Sequence, residues 1–138
     1  MGEALTVNAR LRLPAGADAP SRARDVLRHR CVDASVPAEA LETAMLLLSE
    51  AVTNAVVHAD GRPLVDVELD AGLLHVSVTD QDGTGPLIMP VLDLTAEGGR
   101  GLRLIAALAD EWGVRYGNAS KTVWFSLKLE QHQSAAHA

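Results

Sequence analysis

Every candidate strand in this chain is apolar on one side and polar on the other. Between Leu5 and Leu13, Leu5, Val7, Ala9, Leu11 and Leu13 share one face, while Thr6, Asn8, Arg10 and Arg12 share the opposite one. Val65, Val67 and Leu69 oppose Asp66, Glu68 and Asp70, and Leu74, Val76 and Val78 oppose His75, Ser77 and Thr79. Ala71-Gly72 separates these two runs, so they read as a hairpin. Val114 to Tyr116 and Thr122 to Leu129 read as a second hairpin. A sheet covered on both sides would need strands apolar on both faces. One-sided alternation predicts a largely antiparallel sheet with its helices layered on a single side.

Three helices are predicted. The first opens at Asp18 and Pro20, as N-cap and first-turn residues, and buries Ala23, Val26, Leu27 and Cys31. The second follows Pro37, runs through the Leu46 to Asp60 stretch and is ended by Gly61-Arg62-Pro63. The third spans Gly101 to Trp112, with Leu102, Ile105, Ala109 and Trp112 on one face. Gln81 to Gly98 breaks periodicity and reads as a long loop, which in a compact domain is usually functional. The order is therefore β-α-α-β-β-loop-α-β-β. The expected class is α+β: a two-layer α/β sandwich with a mixed, mostly antiparallel sheet, helices on one face, and a pocket between the layers roofed by the loop. Glu130 to Ala138 is polar and alanine-rich, and reads as a frayed, disordered tail.

At 138 residues the chain is most simply one domain. Its net charge of -6 argues against a nucleic-acid or anionic-membrane surface, because no excess of cations is available to neutralise phosphates. The basic residues between Arg22 and Arg30 are explained by a solvated helix face. One cysteine, Cys31, excludes an intramolecular disulfide, suits a small core residue, and fits a reducing cytoplasm. No segment is long and apolar enough to span a bilayer.

Three clusters could carry chemistry. In LLLSEAVTNAVVHAD, residues 46–60, Glu50, Asn54 and His58 line one stripe, because a step of four turns a helix by about 40°. Leu41, Met45, Leu48, Val52 and Ala55 form another stripe, suited to the core. A carboxylate and a carboxamide one turn apart on so apolar a helix need partners, which points to a cation or a polar ligand. His58, near the helix C-terminus, is explained by capping. The second cluster, Asp80-Gln81-Asp82-Gly83-Thr84-Gly85, follows a strand; the third, Glu97-Gly98-Gly99-Arg100-Gly101-Leu102, runs into a helix. Glycines opening a helix expose N–H groups where the dipole favours an anion, although a GGxG run alone is weak evidence. A carboxylate at a strand end can accept a purine amino hydrogen. An amide oxygen such as that of Asn54 is a hard ligand suited to Mg²⁺. Asp66, Glu68 and Asp70 read as a solvated strand face rather than a metal site.

In this order and spacing the clusters resemble the GHKL ATPase superfamily, and within it the anti-sigma factor serine/threonine kinases of bacteria. SEAVTNAVVHA is similar to that family's N-box and EGGRGL to its second glycine box. The resemblance covers residues 5–129 and implies one ATP-binding kinase domain of the Bergerat-type fold. It implies that Glu50 is the general base, that Asn54 ligates Mg²⁺, and that Asp80 reads the adenine amino group. Gly83 and Gly85 fall in the first glycine box, and Gly99, Gly101 and Leu102 in the second, which wraps the phosphates. Thr122 matches a threonine near the adenine end. Arg100 and Arg103 are added here as phosphate contacts; exposed helix-start arginines would look the same. The family pattern D-x-G-x-G would put Gln81 at the acidic position; Asp80 is preferred because it continues the phase of Val76 and Val78, with Asp82 the alternative. Pro86 to Gly98 contains no Lys or Arg, so this lid brings no cation to the γ-phosphate.

The resemblance thus implies ATP and Mg²⁺ as cofactors, an anti-anti-sigma partner of the STAS type, a sigma factor, and a homodimer through the sheet, with Leu5 to Leu13 as its exposed edge. Three rival functions fit parts of the sequence. One is an ATP-binding regulatory module without useful kinase activity. Another is a histidine kinase fragment, which lacks the H-E/D-x-x-x-P phosphoacceptor here. The last is a pure interaction domain whose glycines are structural.

Overall fold

The computed structural model describes residues 7–14, 16–34, 36–58, 62–81 and 99–132. The elements run β1 (Val7–Arg12), α1 (Ala19–Asp33), α2 (Ala38–His58), β2 (Leu64–Asp70), β3 (Leu73–Gln81), α3 (Gly99–Leu108), β4 (Glu111–Gly117), β5 (Ser120–Lys128) and a 3₁₀ turn (Leu129–His132). The helices and strands follow in the expected order; of the loop expected over Gln81 to Gly98, Gln81 belongs to β3 and the rest lies outside the described residues. The five strands form one sheet in the order β1-β2-β3-β5-β4. All four pairings are antiparallel, where a mixed sheet was expected. β1 and β4 are its edges.

The strand faces sort as their alternation requires. Val65, Val67, Leu69, Leu74, Val76, Val78, Val123, Phe125 and Leu127 are buried beneath the helices. The opposite face carries polar side chains that pair in register. Arg10 Nε donates to Asp66 Oδ1 at 2.8 Å across the β1–β2 pairing, while Glu68 and Asp70 on the same face are exposed. His75 stacks on Trp124 with ring centroids 5.4 Å apart, and its Nδ1 lies 2.8 Å from Ser126 Oγ.

α2 is the centre of the helical layer, packing on α1, α3 and β3. Its buried face is Ala40, Ala44, Leu47, Leu48, Ala51, Val52 and Ala55. Leu41 and Met45, expected in the core, lie at its border and are half-buried. Alanines at the contact let α2 approach the sheet and α1 closely. Cys31 is fully buried in the last turns of α1, and burial pushes its thiol up to about 11, so it behaves as a small core residue.

Three local expectations are corrected. Asp18 precedes α1 but makes no side-chain cap: its backbone is in the right-handed helical region (φ −89, ψ −3), and its carboxylate accepts instead from Arg22 Nε at 3.0 Å. α3 ends at Leu108 and Trp112 belongs to β4. The Ala109 N–H closes the last helical turn on Ile105, the Asp110 N–H already donates to Ser126 O, and the Asp110 carboxylate accepts from the Lys128 N–H at 2.7 Å. The tail from Glu130 begins with a 3₁₀ turn up to His132; the rest of it lies outside the described residues, as do Leu5 and Thr6.

The β2–β3 hairpin turns on Ala71 and Gly72 at φ 52 and 79, the positive pair that a two-residue hairpin loop of right-handed twist requires. Alanine is strained there. Ala71→Asn is expected to stabilise the domain by roughly 0.5–1 kcal/mol in urea unfolding, since Asn tolerates the left-handed region. An unchanged midpoint would mean that the turn relaxes at no cost.

Candidate functional site

Glu50 and Asn54 lie one turn apart on the C-terminal half of α2, both half-buried. Their neighbour Ser49 is structural. Its hydroxyl donates to Met45 O at 2.9 Å and accepts from Arg24 Nη1 at 2.7 Å, tying α1 to α2. His58 is within α2, but its side chain lies outside the described residues.

The N-terminus of α3 lies against Glu50. A Cβ built on Gly101 would stand 3.2 Å from Glu50 Oε1 and 3.3 Å from Glu50 Cβ. Gly101 is buried, and the two helices meet so closely here that a side chain would require Glu50 to give way. Leu102 and Ile105, one face of the same helix, turn into the core. Leu102 therefore can offer a ligand only its backbone. Arg103 is exposed on the outer side. The first N–H groups of α3 have no intrahelical acceptors and sit at the positive end of its dipole, beside the Glu50 carboxylate. The Arg100 side chain and residues 82–98, with Asp82, Gly83, Gly85 and Glu97 among them, lie outside what the structure describes.

Asp80 is on β3, on the helix-facing side with Val76 and Val78, and is only 5% exposed. A carboxylate this deep, one step from the apolar row of Val78 and Val123, is costly unless a partner meets it. One is Lys121, its cross-strand neighbour on β5, with Nζ 4.0 Å from Asp80 Oδ2. Thr122, expected at this end of the site, is turned the other way. Thr79 pairs with Thr122, one step from the Asp80–Lys121 pair, so both threonines face the side away from the helices. Their hydroxyls are 2.8 Å apart. The residue that shares the face of Asp80 is Lys121, which the sequence reading passed over. Its parity with Val123, Phe125 and Leu127 was the available signal.

The structure thus places Glu50 and Asn54 on α2, and Gly101 and Asp80 on the two elements α3 and β3 that each pack on α2. Chemically they offer a carboxylate able to take a proton, a hard carboxamide oxygen, a helix N-terminus for an anion, and a buried acceptor for an amino group. Among the described residues no group of three or more His, Cys, Asp or Glu side chains forms a metal site, and no helix is long and apolar enough to cross a membrane.

A family model, described as the histidine kinase-like ATPase domain, matches residues 13–127. The chain belongs to this family. The match runs from the end of β1 to the end of β5 and so takes in both helices of the site and the sheet beneath them. Two solved structures resemble the ATPase domain. One holds the RsbU and RsbW domains of Rv1364c from Mycobacterium tuberculosis, with a TM-score of 0.70 and 22% identity over 89% of this chain. The chain spans 32% of that protein's length, and at this identity the likeness is one of fold. The other is the histidine kinase domain of the blue-light activated histidine kinase EL346 from Erythrobacter litoralis, with a TM-score of 0.56, 26% identity, and 86% of this chain and 72% of that one covered. No curated protein sequence matches the chain.

Proposed function

We propose that the domain binds ATP·Mg²⁺ and transfers the γ-phosphoryl group to a serine or threonine of an anti-anti-sigma partner of the STAS type, holding a sigma factor when that partner is absent. The observation that carries this reading is the contact between Gly101 and Glu50. It sets a candidate proton acceptor against a helix N-terminus suited to phosphate. The family supports ATP as the nucleotide. The motifs at residues 49–59 and 97–102 support the anti-sigma branch.

Each residue has a role in this reading. Asp80 accepts the adenine amino group. Gly99, Arg100 and Gly101 hold the phosphates at the start of α3, with Leu102 contributing its N–H, and Gly83 and Gly85 approach from the first glycine box. Asn54 would hold Mg²⁺ through its carboxamide oxygen, a hard ligand suited to that cation. Bound Mg²⁺ supplies neutralisation of the phosphate charge. Glu50 takes the proton of the acceptor hydroxyl as its oxygen bonds to phosphorus, and the bond to the departing ADP breaks. A homodimer through the β1 edge is part of the proposal. The cation-free run 86–98 favours one second reading, an ATP-dependent regulatory module with little transferase activity.

Calorimetric titration with ATP, with and without Mg²⁺, tests binding. Asp80→Asn keeps the shape of the side chain but replaces its charged acceptor, and should weaken ATP by roughly 10- to 100-fold. Equal affinity in wild type and variant would remove Asp80 from the site. Incubation with a STAS-domain protein and γ-labelled ATP tests transfer. An acid-stable phosphoester on serine or threonine is expected; an acid-labile phosphohistidine would refute the serine/threonine assignment, and no label would refute transfer to this partner, each leaving ATP binding intact.

A further inference from the structure

On the helix-facing side of the sheet, the row at the end of β3 is polar where the rows behind it are apolar. Asp80 pairs with Lys121, and Lys121 with Tyr116. One step back, the same face carries Val78, Val123 and Val114, and the next row carries Val76, Phe125 and Trp112. The change is abrupt and the polar row is deep. Asp80 is 5% exposed, the Lys121 side chain is 23% exposed, and the Tyr116 hydroxyl is buried with no hydrogen-bond partner among the described residues. Buried polar atoms in folded proteins almost always have partners, so an unused hydroxyl in a polar row marks a place for a ligand that brings its own polar edge. Lys121 Nζ and Asp80 Oδ2 are 4.0 Å apart, longer than a hydrogen bond, so this contact does not use up the ammonium's donors.

We infer that Lys121 is a second base-reading residue, donating a hydrogen bond to N1 of the adenine whose amino group Asp80 accepts. The inference rests on the ATP reading proposed above. Adenine presents a donor, its amino group, directly beside an acceptor, N1. Asp80 and Lys121, side by side on adjacent strands and the same face, present an acceptor beside a donor. A lysine suits the second role because its flexible stem can close the gap between strand spacing and the narrower spacing of the two purine atoms. The charge makes the bond a strong one in a buried setting. Lys121 is then committed to the base and is not a phosphate clamp.

The test separates these roles by removing one atom from the nucleotide. 1-Deaza-ATP keeps the amino group and the triphosphate but has a C–H in place of N1. Wild type is expected to bind ATP about 10-fold more tightly than 1-deaza-ATP, while Lys121→Met binds both alike at the weaker affinity. Lys121→Gln, whose amide N–H can still donate, should recover part of the discrimination. Equal discrimination in wild type and Lys121→Met would overturn the inference, as would a variant that loses affinity for both nucleotides by the same factor, the result expected of a phosphate contact or of a folding defect. Failure of wild type to bind ATP at all would instead remove the underlying ATP reading and the inference with it.

Discussion

Replacing Glu50 by glutamine is expected to lower phosphoryl transfer to the protein substrate by roughly 10²- to 10⁴-fold, with ATP affinity held within a few-fold. The glutamine is chosen on structural grounds. Glu50 Oε1 and Cβ form the wall against which Gly101 packs, at 3.2 and 3.3 Å from where a Cβ would stand. Glutamine has nearly the same shape, so α3 keeps its seat on α2 and the phosphate end of the site is undisturbed. What it lacks is the ability to take a proton. Alanine would remove wall and base together, and a fall in rate could then come from a displaced helix.

Single-turnover transfer and calorimetry read the two quantities separately. A loss confined to the transfer step assigns the proton to Glu50. A loss of ATP affinity with the chemical step intact would make Glu50 a ligand for nucleotide or metal instead. Unchanged transfer would leave its nearness to α3 as packing: a carboxylate beside a helix N-terminus is also a favourable electrostatic arrangement without any chemistry.

The sheet and the placing of its helices on one side were legible in the sequence because the strands alternate so strictly. Val65, Val67 and Leu69 could only face a core, with Asp66 opposite Arg10 on the other side. The helix carrying Glu50 and Asn54 was equally plain. What failed depended on contacts between distant segments. Leu102, Ile105, Ala109 and Trp112 fit a helical period, and both leucine and tryptophan do pack toward the core, yet α3 stops at Leu108 because the Asp110 N–H is taken by Ser126 on β5. Periodicity within one segment cannot announce a hydrogen bond to another. The exchange of Thr122 for Lys121 has a similar origin. A shift of one residue reverses the face of every side chain in a strand. A threonine at a strand start looks like a ligand and a lysine like a solvated end, until Val123, Phe125 and Leu127 fix which face is which.

Gly101→Val is the sharper test of the site as a whole, with an expected loss of more than roughly 100-fold in ATP affinity, the order that follows from losing two hydrogen bonds to charged phosphate at about 1.5–3 kcal/mol each. The position is tight even for one carbon: a Cβ would stand 3.2 Å from Glu50 Oε1 and 3.3 Å from Glu50 Cβ, and valine adds two methyls beyond it. Something must yield, and α3, a helix of ten residues, is lighter than α2, which is fixed by α1 and the sheet. The start of α3 should lift away from α2, carrying the phosphate-facing N–H groups out of position. Overpacking of this kind typically costs about 1–3 kcal/mol, so the fold should survive while the site does not. Gly101→Ala supplies the graded control, because its smaller intrusion is opposed by a gain of about 1 kcal/mol in helix propensity. Calorimetry beside thermal unfolding separates the two effects. If the valine variant binds ATP as wild type does, the start of α3 is not the phosphate seat, and the closeness of Gly101 to Glu50 serves helix packing alone.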